Sequence, residues 1–308
     1  MKESNAPSLG RTPAQKFFDK WQGLIYLIPW IIGFVVFKAI PFGQSLYYSF
    51  TDMNFFNGIH QYGVMNYVTA FSDAKITKAL ITTFKYAFVT VPLKLIFALF
   101  IAYILNFKIA CVNLFRTIYY IPSILGGSVA IAVLWKAVFR DDGLVNTIIR
   151  AVTFGHAQGP SWLSDPNYAL WIICFLRIWQ FGSAMVLFLA ALKGVPADLY
   201  EAATIDGAGR LRKIWSVTLP CIRGTMVTLL IMNLGRVMGS NFERLDAFGN
   251  VQVKDFQYQL AIYIYEKGLA GGNFSRATAV GLFQSLVGLI LVLASDRAAK
   301  KLGEDGLL

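Results

Sequence analysis

The sequence is poor in acidic residues, cysteine and histidine, and each shortage narrows what the chain does. Of 308 residues, 17 are Asp or Glu, three are Cys and two are His. Cys174 and Cys221 fall in long apolar runs and Cys111 in a short connection, so neither a disulfide framework nor a metal-ligand spacing is present. His60 and His156 fall in polar connecting segments, and Asp141–Asp142 read as a solvated turn. No nucleophile or acid–base constellation gathers at one place, which speaks against a membrane enzyme, and no metal site is expected. The phosphate-binding pattern Gly-x-x-x-x-Gly-Lys-Ser/Thr is also missing, so the chain has no ATPase site of its own. There is no tandem repeat and no low-complexity tract.

Abundant instead is apolar surface. Hydrophobic residues make up 56% of the chain and charged ones 15%. Because about 20 mostly apolar helical residues cross a bilayer, six runs qualify: 21–42, 82–105, 118–139, 167–192, 216–240 and 276–295. The expected fold is therefore an all-α integral membrane protein of six transmembrane helices. Residues 1–20 read as a cytoplasmic leader, 21–296 as one transmembrane domain, and 297–308 as a cytoplasmic tail. The first run is too long for a cleaved signal peptide and has no small-residue cleavage site. Prolines 29, 41, 92 and 122 fall in or beside the runs and mark kinks.

The formal charge of +11 is a topology signal. With both termini inside, the inward connections hold 13 Lys and Arg and the longer outward ones hold seven. That bias matches a cytoplasmic N- and C-terminus and gives no reason to expect nucleic acid. The outward stretch SLYYSFTDMNFFNGIHQYGVMNYV, dense in aromatics, fits an interfacial belt or a contact surface for an external protein. A short amphipathic helix is expected near residues 143–152, and FQYQLAIYIYEKGLAGG reads as a helical stretch closed by Gly271 and Gly272.

None of the six runs contains Asp, Glu or His, the usual carriers of proton coupling. A sodium-coupled secondary carrier using backbone carbonyls stays open as a rival. Cations do occur inside the runs, among them Lys85, Lys94, Arg177, Arg223 and Arg236. Each costs on the order of 3 kcal/mol at a helix centre unless it reaches the interface or faces a cavity.

Between the fourth and fifth runs lies EAATIDGAGRLRKIWSVTLP. Pro196 suits a first helical turn, Asp198 complements the helix dipole, and Leu199, Ala202, Ala203 and Asp206 share one stripe. Gly207 offers the left-handed conformation that ends a helix, and a second helix returns to the membrane. An amphipathic loop resting on lipid would have the same composition.

The motif resembles the EAA loop of permease subunits of bacterial binding-protein-dependent ABC importers: Glu201, Ala202, Ala203, Asp206, Gly207, Ala208, Leu219 and Pro220 match its pattern. Gly224 departs from it, where many relatives carry proline. LIPWIIGFVVFKAIPFGQSLYYSFTD is similar to the opening helix of the maltose-type sugar-permease branch, and NFERLDAFGN with the C-terminal stretch looks like its oligosaccharide and polysaccharide members. The resemblance implies an EAA coupling helix, in a loop at about 193–222, docked on a separate ATPase subunit. It further implies a second homologous permease, as a heterodimer, two ATPase subunits carrying ATP and Mg, and an extracytoplasmic substrate-binding protein, all at the bacterial inner membrane. Positions matching Trp179, Gln180, Ser183, Arg236, Ser240 and Asn241 would line the substrate path. Arg236 would suit a carboxylate by a two-pronged hydrogen bond, so the expected cargo is an oligosaccharide, including acidic uronate oligomers such as alginate or pectin fragments. A neutral oligosaccharide or another solute stays open beside it.

Overall fold

The computed structural model describes residues 23, 26–54, 58–107, 110–126, 129–239 and 258–301. Apart from two isolated bridges, Thr51 with Tyr62 and Asn54 with Gly58, all regular structure among the described residues is helical. We number the helices α1 (Tyr26–Ser49), α2 (Met65–Ser72), α3 (Ala74–Leu105), α4 (Val112–Leu125), α5 (Val129–Val138) and α6 (Leu144–Val152). They continue as α7 (Pro166–Trp179), α8 (Gly182–Lys193), α9 (Ala197–Ile205), α10 (Arg210–Val237), α11 (Leu260–Tyr265) and α12 (Phe274–Lys301).

Four of these, α1, α3, α10 and α12, are long and apolar enough to cross a membrane. Two bent pairs pass the same test, α4 with α5 at 109° and α7 with α8 at 43°, giving up to six spans. The runs at 118–139 and 167–192 are thus each carried by two helices set at an angle to one another, α4 with α5 and α7 with α8. Helix ends also differ from the hydropathy limits, because apolar composition marks the membrane interior while caps mark where a helix starts. The Asp73 carboxylate accepts the Lys75 N–H at 2.9 Å, which starts α3 before the run at 82–105. At the other end of the chain, Lys300 pairs with Asp296 at 3.2 Å in a last turn that lies beyond the expected limit.

Helix α3 forms the centre. Its buried residues include Ala79, Thr83, Ala87, Thr90, Ala98 and Ala102, small side chains that let neighbouring helices approach closely in a membrane. Around it pack α7, α8 and α10, while α12 packs against α10 and the second half of α1. No residue in the first half of α1 is buried, and nearly all are exposed.

Two helices widen by one turn just before a proline. In α1 the π turn Val35–Ala39 precedes Pro41, and Ile40 donates its N–H to Val35 O. In α10 the π turn Ile214–Thr218 precedes Pro220, and Leu219 donates to Ile214 O. Proline has no N–H for the carbonyl four residues back and its ring crowds that oxygen, so an inserted residue relieves the clash without breaking the helix.

Between α3 and α12, α11 is tied from several sides. Leu260 donates its N–H to the Thr83 hydroxyl at 3.3 Å, and the Tyr263 hydroxyl donates to Asp73 at 3.1 Å. Tyr258 donates to Glu266 at 2.7 Å. Burial, followed by the hydrogen bond to Glu266, pushes the Tyr258 phenol upward. Burial is also the main cause that takes Tyr263 up to about 12, against an opposing pull from Arg276.

Candidate functional site

The lysine in the middle of α3 needs an explanation first. Lys94 is 7% exposed, and its ammonium donates to Asn233 Oδ1 of α10 at 3.4 Å. Asn233 is oriented in turn by donating Nδ2 to Leu229 O at 2.8 Å. Both line a cavity of about 210 Å³ enclosed by α3, α4, α7, α8 and α10. The break between α7 and α8 opens its wall: Gln180 lies in the gap and Ser183 on the first turn of α8.

Close backbone approach sets this geometry. A Cβ on Gly182 would fall 2.5 Å from Tyr119 O and 2.8 Å from Tyr120 Cα of α4, so a side chain there would drive α8 away. With glycine, the Ser183 N–H reaches the Ser123 hydroxyl at 3.1 Å.

Among the described residues, three cations, Lys94, Arg177 and Arg236, line the cavity, and no carboxylate does. Arg236 is exposed at the mouth, while Arg177 is half-buried. Among the described residues, Nε of Arg177 is buried and has no hydrogen-bond partner. The remaining polar groups, from Gln180, Asn233, Ser123 and Ser183, supply both donors and acceptors. Such an enclosure accepts a hydroxyl-rich anion and disfavours a cation. A larger groove of about 680 Å³ lies along α12; among the described residues its polar lining groups are Ser45, Thr278, Gln284 and Ser285 and none is charged, so it offers no charge-assisted bond to an anion.

Of the residues expected on the path, Gln180, Ser183 and Arg236 meet on this cavity. Trp179 does not line it. Its ring lies tilted against Trp135, centroids 5.1 Å apart, in an aromatic group that includes Phe139 and Phe175. An aromatic residue serves packing and ligand stacking equally well, so its type alone did not reveal its direction. Ser240 and Asn241 lie outside the described residues, as does NFERLDAFGN. Asn233 and Ser123 were missed. Lys94 and Arg177 were noticed as cations in apolar runs, and that expense was the one available signal for them.

The second candidate region is the hairpin after α8. Pro196 is the N-cap of α9 instead of a residue in its first turn, and Asp198 sits in that turn. The helix closes with Ala208 N–H to Ala203 O at 2.9 Å and Gly207 N–H to Thr204 O at 3.0 Å. That is the paired bonding of a Schellman motif, and Gly207 takes the required left-handed φ of 75°. The returning segment is not a separate helix: it runs through the π turn into the span as α10. Lys213 donates to the Thr204 hydroxyl at 2.7 Å, and the Tyr200 and Thr218 hydroxyls lie 3.0 Å apart, which fixes the hairpin angle. Glu201, Ala202 and Asp206 are exposed, Ala203 and Ala208 half-buried; Leu219 and Pro220 stand in the first turns of α10 beyond the π turn.

The family described as binding-protein-dependent transport system inner membrane component matches residues 64–300. The chain belongs to that family. This inner-membrane component is 41% identical to the "Probable ABC transporter permease protein YesP" of Bacillus subtilis (strain 168), over 89% of each chain. The "Polygalacturonan/rhamnogalacturonan transport system permease protein YteP" of the same organism is 32% identical, over 92% of this chain and 89% of the relative. Among solved structures, a chain from a bacterial alginate ABC transporter, in complex with alginate pentasaccharide-bound periplasmic protein, superposes with a TM-score of 0.81 at 25% identity. That match covers 95% of this inner-membrane component and 99% of the solved chain.

Proposed function

We propose that this inner-membrane component is a permease subunit of an ATP-driven ABC importer that moves an acidic oligosaccharide into the cell. The carrying observation is the cavity lined by Lys94, Arg177 and Arg236 with, among the described residues, no carboxylate. A uronate unit offers a carboxylate to the cations and ring hydroxyls to Gln180, Asn233, Ser123 and Ser183. Charge-assisted bonds of this kind are among the strongest available to a binding site. The polygalacturonan and alginate systems among its similar proteins favour the same cargo class.

The rest of the machine follows from this reading. A second, homologous permease completes the translocation path as a heterodimer, and an extracytoplasmic binding protein delivers the saccharide. Two ATPase subunits bind ATP and Mg. Glu201, Ala202, Ala203, Asp206, Gly207 and Ala208 dock on an ATPase, with Leu219 and Pro220 leading into the span. Both termini are then cytoplasmic. ATP binding draws the hairpins together and reorients the permeases from inward- to outward-facing, and hydrolysis resets them.

The test is ATP hydrolysis by the assembled complex in lipid, with its binding protein and matched uronate or neutral oligosaccharides. Uronate oligomers should stimulate hydrolysis. Lys94→Gln, Arg177→Gln and Arg236→Gln should each weaken that response by roughly tenfold or more, since a hydrogen bond to a charged group contributes about 1.5–3 kcal/mol. Stimulation by neutral oligomers alone, or equal loss for both classes, overturns the acidic cargo.

A further inference from the structure

Helix α6 leaves an apolar stripe uncovered. Leu144, Ile148 and Val152 follow one another at i, i+4 and i+8 and are 60%, 52% and 73% exposed, and Phe154 just beyond the helix is 91% exposed. Such spacing puts them on one face. We infer that α6 is a membrane-surface anchor, lying in the headgroup layer with this stripe in the lipid, at the end of the bundle opposite the α9 hairpin.

Rotation of α6 about its own axis is fixed, so the stripe has a set direction. Asn146 is buried on the inner face and donates Nδ2 to Asp141 O at 3.2 Å and to Pro160 O at 3.3 Å. Its Oδ1 accepts the Trp162 indole N–H at 2.7 Å. Arg150 adds bonds from Nε to Asn146 O and from its guanidinium to Asp141 O, each 3.3 Å. Val145, beside Asn146, packs on the core. Arg150, one turn on from Asn146, and Thr147 beside Asn146 on the side away from Val145 are exposed. The helix therefore has a protein edge, an apolar edge and a polar, cationic edge, the division expected of a helix lying in an interface above anionic headgroups.

What covers the apolar edge is set by position. Helix α6 joins the ends of two membrane segments, α5 at Val138 and α7 at Pro166. Those segments leave Val133, Leu134, Trp171 and Phe175 exposed, an apolar exterior of the kind lipid covers, and the stripe lies at its end. Trp162 and Tyr168, 5.3 Å apart, stand at the same junction, where amphipathic rings mark the level of the headgroups. Arg140 is paired with Asp142 at 3.1 Å, so Arg150 is the cation that α6 offers to lipid phosphate.

Spin labels test this in the full chain, assembled with its transporter in nanodiscs of phosphatidylethanolamine and phosphatidylglycerol. The three native cysteines are replaced by serine, and Ile148→Cys, Val152→Cys and Thr147→Cys are labelled one at a time. Labels at 148 and 152 should relax strongly with oxygen and weakly with a water-soluble nickel chelate, and the label at 147 should do the reverse. Free access of nickel to 148 and 152 places the stripe in water and overturns the anchor. Exclusion of both reagents places it against a second permease or a binding protein and overturns it equally. Should the α6 variants fail to assemble, Phe154→Cys, outside the helix, reports the same depth.

Discussion

At the scale of single residues, the membrane makes every polar group informative, because each needs a partner that lipid does not supply. Tyr263 shows how this becomes a measurable property. Its hydroxyl donates to Asp73, and burial is the main reason its phenol is pushed up to about 12 from 10.0. A raised folded-state value means that the neutral phenol stabilises the fold. Its contribution is fully present below pH 10 and is lost between pH 10 and about 12. Thermal stability of the wild type should fall across that window, whereas Tyr263→Phe starts lower and should lack this part of the fall. Parallel curves would show that the Tyr263 proton does not contribute. Sequence marked some such residues and not others. Lys94 and Arg177 stood out because cations are rare in apolar runs, yet which way they faced depended on the packing of α3 against α7, α8 and α10. Asn233 and Ser123 carried no comparable signal, since amides and hydroxyls in spans often bond to their own helix. Trp179 had two chemically equal destinations, and only the position of Trp135 decided between them.

At the scale of elements, the apolar runs located the helices and the hairpin, while the breaks within them were hidden. The run at 167–192 reads as continuous because the α7–α8 gap contains only Gln180 and Phe181, followed by Gly182 at the start of α8, and no proline. Gly182 is the one local sign, and its role depends on α4 lying against it. Gly182→Ala should force the helices apart, since the nearest atom to the new methyl is a backbone oxygen at 2.5 Å. A loss of about 1–3 kcal/mol is expected from overpacking, accompanied by loss of the Ser183–Ser123 bond and of saccharide-stimulated hydrolysis. An unchanged melting temperature in lipid would mean that α4 and α8 do not approach so closely. The hairpin was more legible, because glycine at a left-handed position and a helix cap act within a few residues and do not wait for tertiary packing.

At the scale of the whole molecule, one helix joins the two candidate regions. Helix α10 begins at Arg210 in the hairpin and carries Asn233 and Arg236 on the cavity wall. At about 1.5 Å per residue, Arg210 and Arg236 stand ~39 Å apart along it. The Tyr200–Thr218 and Lys213–Thr204 contacts fasten α9 to the start of that helix, so a force on α9 is delivered to α10 and not absorbed by a loose loop. On the proposed function, if α10 moves as one body, Glu201 facing an ATPase and Arg236 facing the cargo serve the same coupled step. Residues so far apart with no shared partner ordinarily contribute independently, and that expectation makes a double-mutant cycle decisive. Glu201→Ala and Arg236→Gln should each reduce uronate-stimulated ATP hydrolysis, and the double variant should be little worse than the more damaged single one. Effects that multiply would mean that hairpin and cavity act separately, and the transmission would then have to pass through another element, such as α8, which also runs from the cavity to the hairpin.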